Sequence, residues 1–231
     1  MGARLPAGVS RLESVVAAVC PDPAHPLAVP LRAWCQSRPF LAFAEANVPK
    51  LRKKAREAVG EEVQADLRAE LAVAAWLLRE PGVTLVYEPL KAAGGRGPDF
   101  ALRLPGGSLV FVEVARLRGG GTQAPEYKLA RVLADKAGQL PPGAGVVLAA
   151  VLPADGEAAV LAPAALRMLA HAAQGETLPG VPPGRARAFE QRRPRVGGVL
   201  CLGPGEPPHV TFWAHGGAAH PLSAAALRAL R

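Results

Sequence analysis

Apolar and polar residues alternate in two different rhythms along this chain. Its first third repeats apolar positions at three- and four-residue steps, the spacing of helices. RLESVVAAV predicts a helix over Leu12–Val19, and a second helical stretch spans Leu31–Ala44, with Pro39 placed to break or kink it. In VPKLRKKAREAVGEEVQADLRAELAVAAWLLREPG the residues Val63, Leu67, Leu71, Ala74, Ala75 and Leu78 form one apolar stripe, stopped by Pro81-Gly82. Past that stop the rhythm shortens. GVTLVYEPL, DFALRL and SLVFVEVARL read as strands, parted by the turns AAGGRG and PGG. EYKLARVLADKAGQL, through Leu129, Val132, Leu133 and Leu140, suits a helix. GVVLAAVL is a continuous apolar run, as expected for a central strand covered on both faces.

The remainder follows the same logic. PAALRMLAHAAQG predicts a helix, and GETLPGVPPGRARAFEQRRPR a strongly basic loop. VGGVLCLG and HVTFWAHG read as late strands, and PLSAAALRALR as a short closing helix. No internal repeat is visible. The sum is an α/β fold with a mixed central sheet flanked by helices, with helical additions at the start and strands added at the end. Residues 1–45 are expected to form a helical extension packed on the core, and 46–231 the core itself with its late strands.

Composition narrows the function classes. The chain has 231 residues, enough for a sizeable core, and half of them are hydrophobic. No apolar run reaches the roughly 18 residues that span a bilayer. The opening MGARLPAGVSRLESVVAAVCPDP carries Arg4, Arg11 and Glu13 and lacks the clean apolar core of a signal peptide. Cys20, Cys35 and Cys201 are odd in number and far apart, which points to reduced thiols and a cytoplasmic setting. A net charge of +8 suits a polyanionic partner, although Arg, Ala, Gly and Pro enrichment without a single isoleucine also fits a GC-rich coding bias.

The chemistry concentrates in RGPDFALRLPGGSLVFVEVARLR, residues 96–118. Asp99 follows a proline at the start of one strand, and Glu113 interrupts the next, one hairpin later. Phosphodiester hydrolysis builds negative charge on phosphoryl and leaving oxygens, and a hard cation with oxygen ligands stabilises it. Two carboxylates on neighbouring strands can share such an ion.

This order of elements, with Pro98-Asp99 on one strand and Glu113-Val114-Ala115 on the next, resembles the PD-(D/E)XK nuclease superfamily over residues 62–152. The resemblance implies a restriction-endonuclease-like fold and a Mg²⁺-dependent nuclease (Mn²⁺ as alternative), acting on DNA ahead of RNA. It implies Asp99, Glu113 and the Val114 carbonyl as metal ligands, and Glu70 on the preceding helix as an assisting acid, with Asp66 in reserve. One departure stands out. Ala115 occupies the position of the strand lysine, and Arg116 points to the other strand face. Lys128 and Lys136, on the following helix near Arg131 and Gln139, are the candidates to replace it, Lys136 with Gln139 fitting best. The rival expectation is a degenerate member that binds nucleic acid or protein without cutting.

Other signals add less. KLRKKAR places five cations in seven residues, Lys50, Arg52, Lys53, Lys54 and Arg56, and with Arg116 these are the candidate nucleic-acid contacts. Arg185, Arg187, Arg192, Arg193 and Arg195 form a second basic stretch. Aromatics are only 5% of residues, and Trp34, Trp76 and Trp213 sit in apolar contexts that favour core roles and duplex contact over single-strand stacking. Cys201, His209, His215 and His220 match no compact zinc spacing. RGGGTQAP lacks the Gly-Lys-Ser/Thr end of a phosphate-binding loop.

Overall fold

A computed structural model describes residues 10–90, 97–120, 123–136, 141, 143–153, 158–205 and 207–231, with the backbone alone at 158 and 159. The chain divides into two compact units, Met1–Pro81 and Gly82–Arg231.

The first unit is helical: α1 (Arg11–Val19), α2 (Ala28–Trp34), α3 (Arg38–Ala46), α4 (Val48–Glu57) and α5 (Glu61–Leu77). Ser10 starts α1 by accepting a hydrogen bond from the Glu13 amide. The stretch expected over Leu31–Ala44 is two helices, because Pro39 opens α3 in its first turn, where its missing N–H costs nothing. The basic run and the long apolar stripe also separate. Gly60 adopts φ +87 between α4 and α5, a left-handed turn that other residues resist. Val16, Leu31, Phe40, Leu51 and Leu71 are fully or nearly fully buried and form this unit's interior. Glu13 pairs with Arg32 at 2.7 Å and Arg11 pairs with Glu45, which ties α1 to α2 and α3.

The second unit carries one open six-stranded mixed sheet. Its strands are β1 (Thr84–Tyr87), β2 (Phe100–Arg103), β3 (Leu109–Arg116), β4 (Gly145–Val151), β5 (Val196–Leu202) and β6 (Val210–Ala214), arranged in chain order. β1, β2 and β3 are antiparallel, β3, β4 and β5 parallel, and β6 antiparallel to β5. Helix α6 (Pro125–Lys136) joins β3 to β4, and α7 (Ala158–Ala173) and α8 (Pro183–Arg192) join β4 to β5. The three helices pack together on one sheet face, where Leu129, Leu133, Leu166, Leu169 and Phe189 meet Leu148, Ala150, Val199 and Cys201. A short helix α9 (Ala224–Ala229) ends the chain, capped by Ser223.

The basic stretch before β5, expected as a loop, is the helix α8 followed by one 3₁₀ turn, Arg193–Arg195. Pro183 opens the helix, and Ala186 and Phe189, three residues apart, bury one face while the arginines stay outside. Two apolar residues among so many charges made too faint a stripe to read. Trp34, Trp76 and Trp213, expected in cores, are half-buried. Among the described residues no helix is long and apolar enough to cross a membrane.

Candidate metal centre

The hairpin β2–β3 positions the two carboxylates. In its ladder Phe100 faces Val112, so one step further Asp99 stands opposite Glu113. On its other side Asp99 continues the β1–β2 ladder, since the Glu88 amide donates to the Asp99 carbonyl at 2.8 Å. Directly opposed residues share a sheet face with Cβ atoms about 4.5–5.5 Å apart. Glu113 also pairs with Leu148, whose side chain lies under the helices, so Glu113 points to the face that α6 covers.

Asp99 turns one oxygen into the strand plane. Its Oδ2 accepts from the Val114 amide at 2.8 Å, taking the place of a partner on β2, which has not yet begun. An extended residue sends its N–H and C=O to the same side, so the Val114 carbonyl leaves β3 on the Asp99 side as well. Asp99, Glu113 and this carbonyl are the oxygen donors that could hold a hard cation here, one that keeps several waters. Among the described residues no three His, Cys, Asp or Glu side chains cluster to hold a metal by themselves, so the carbonyl and water would complete the shell.

The basic group comes from α6. Lys136, in the helix's last turn, donates through Nζ to Glu113 Oε1. Glu113 is only 3% exposed, in a strand that is apolar on either side of it from Leu109 to Ala115. A buried carboxylate is costly unless paired, and Lys136 supplies the pair. Ala115 lies on the same face as Glu113, opposite Ala150 of β4, and offers a methyl where a lysine stem would otherwise pass. Lys128 goes elsewhere: its Nζ donates to the carbonyls of Arg118 at 2.9 Å and Gly120 at 2.6 Å, bracing the exit of β3. Gln139 and Leu140 lie outside the described residues, as do most of the AAGGRG turn and part of the RGGGTQAP loop. Arg116 alternates to the opposite face from Glu113.

Glu70 belongs to α5 in the first unit. It is buried there and accepts from Lys54 Nζ at 2.8 and 3.0 Å. Lys54 is thus committed to a carboxylate, and Lys53 sits 3.9 Å from Glu57. Lys50, Arg52 and Arg56 are exposed on α4, whose Leu51 and Ala55 face inward. Asp66 is exposed. The late histidines disperse, His215 donating from Nδ1 to the Val196 carbonyl at 2.9 Å while Cys201 is buried in β5.

Sequence reasoning passed over Glu88. It sits beside Asp99 at the end of β1 with φ +49, the one non-glycine residue with positive φ among the described residues. Holding a glutamate there costs about 1–2 kcal/mol, and such strain gathers at functional sites. An acid before a proline in YEPL was the available signal. No family model, no curated protein and no solved structure matches this chain.

Proposed function

We propose that this protein hydrolyses phosphodiester bonds in nucleic acid, DNA ahead of RNA, using Mg²⁺ or Mn²⁺ held by Asp99, Glu113 and the Val114 carbonyl. The observation that carries the reading is the delivery of Lys136 from α6 to Glu113, which supplies a cation near the two carboxylates although the strand itself has Ala115. A bound divalent ion would supply charge neutralisation and an acidified water. The chain's own groups do the rest. Asp99 is oriented by the Val114 amide, which fixes one carboxylate oxygen at the strand edge beside Glu113. Lys136 can orient an attacking water and offset charge on the phosphoryl group. The exposed cations of α4 and the net charge of +8 favour a polyanion. Reduced Cys20, Cys35 and Cys201 fit a cytoplasmic setting.

The test is cleavage of labelled linear duplex, circular duplex and single-stranded DNA, and of RNA, with Mg²⁺ or Mn²⁺, for wild type and Asp99→Ala. Metal-dependent cutting that falls at least a hundredfold in the variant is expected. Cutting that survives the substitution would sink the assignment. The second reading is a binding module that has lost catalysis, favoured by Ala115. It predicts salt-sensitive binding with no cutting under any of these conditions.

A further inference from the structure

Two clefts open along α7 on either side of one arginine. The first, about 320 Å³, is walled by Tyr127 of α6, Met168 and His171 of α7 and the Glu176–Leu178 turn. The second, about 240 Å³, lies between Leu166 and Ala170 of α7, Arg193 and Trp213 of β6. Arg167 lines both and is exposed.

The charges around it are mostly spoken for. Glu176 accepts from His171 at 2.8 Å, and Glu190 holds Arg193 at 3.2 Å. Arg167 has no hydrogen-bond or ion-pair partner among the described residues. Arg187, Arg192 and Arg195 are exposed on α8 and the turn after it. Tyr127 and Trp213 are both half-buried. Each packs against the helical core and lines a cleft, and the Trp213 ring also stacks on His215 with centroids 5.4 Å apart.

An exposed arginine alone is ordinary, and so is an aromatic at the rim of a core. Their order is the informative part. Aromatic, cation, aromatic matches the repeat of base, phosphate, base along a single strand, which aromatic platforms and a basic groove hold without sequence preference. Each cleft lies near or below the lower bound of pockets for drug-sized ligands, about 300 Å³, and suits one planar ring. A duplex keeps its bases stacked inside and cannot fill both clefts.

We propose that the α7 surface binds a single-stranded nucleic-acid segment, with a phosphate on Arg167 and the flanking bases against Tyr127 and Trp213. This rests on the reading of nucleic acid as the partner. It also connects to the candidate centre, because α6 carries both Tyr127 and Lys136, about 13 Å apart along the helix axis.

The experiment measures binding of a fluorescein-labelled single-stranded DNA 20-mer, and of the same sequence as duplex, to the full chain in EDTA. Wild type, Arg167→Glu and Trp213→Phe are compared, with circular dichroism melts as a folding control. Wild type is expected to prefer the single strand about tenfold. Arg167→Glu should weaken single-strand binding about tenfold at an unchanged melt and lower the salt slope by about 0.7. Tryptophan emission should be quenched by the single strand in wild type and much less in Trp213→Phe. Single-strand binding unaltered by Arg167→Glu, or equal affinity for duplex, overturns the proposal. Binding that behaves as expected beside an absence of metal-dependent cutting sinks the nuclease reading alone. Cutting that depends on Asp99 beside an indifferent Arg167→Glu sinks the α7 surface alone.

Discussion

Glu113 and Lys136 set a choice between stability and function at the scale of single residues. A carboxylate that is 3% exposed on an apolar strand contributes less to stability than a well-packed hydrophobe of its size. Its retention with a lysine brought from a helix 23 positions away makes sense where the pair has chemistry to perform. Lys136→Met should strip the countercharge and cost about 3 kcal/mol, the low end for a buried pair because Lys136 is itself 30% exposed. Glu113→Gln combined with Lys136→Met should recover part of that loss, since no buried charge is left over. If Asp99 and Glu113 accept a divalent cation, millimolar Mg²⁺ should stabilise Lys136→Met more than wild type, because ion and ammonium compete for one carboxylate. Urea midpoints with and without Mg²⁺ measure all three. An equal Mg²⁺ response in both proteins would remove the cation from this site.

At the scale of elements, β5 shows how tightly the late strands fit. Gly198 pairs with Ala214, and a Cβ at Gly198 would come within 2.4 Å of the Phe212 ring and 2.7 Å of the Trp213 carbonyl. The ring can rotate away but the carbonyl cannot, so the β5–β6 pairing must open slightly. Gly198→Ala should therefore cost about 1–3 kcal/mol. A denaturation midpoint equal to wild type would show that the pairing has slack. The same elements explain what the sequence disclosed. All six strands were legible because each is a short apolar run closed by Gly or Pro. The two split helices were half-legible, one through Pro39 and the other hidden at Gly60, where a single turn interrupts an otherwise helical run. Asp99 and Glu113 could be put on neighbouring strands from the length between them, while their facing register came only with the paired strands. Lys136 ranked ahead of Lys128 only through the resemblance; both lie on α6, and the physical distinction comes from three-dimensional placement, which sends one to Glu113 and the other to the β3 exit. Arg167 carried no local signal at all, since its neighbours in the clefts come from distant parts of the chain.

For the whole molecule, the three thiols provide internal reporters in both units. Cys20 and Cys35 lie in the first unit and Cys201 in the second, each no more than 3% exposed. Burial disfavours the thiolate, which pushes Cys20 and Cys35 up to about 11 and Cys201 up to about 12, from an ordinary value of 9.0. At pH 8 the native thiolate fraction is then on the order of a thousandth or less, and reagents also lack access. Native protein should thus take up no alkylating label in minutes at pH 8, while protein in denaturant should take up three. The linkage has a definite sign. Raised values mean that the native state keeps its protons where the unfolded chain has released them. The contribution is full below pH 9 and is lost as pH climbs toward 11–12. Cys201→Ala should flatten the alkaline fall in stability over that window, followed by urea midpoints at stepwise pH. Rapid native labelling at Cys201 would mean that β5 opens on its own, and the central sheet that holds the candidate centre would then be far less rigid than its burial implies.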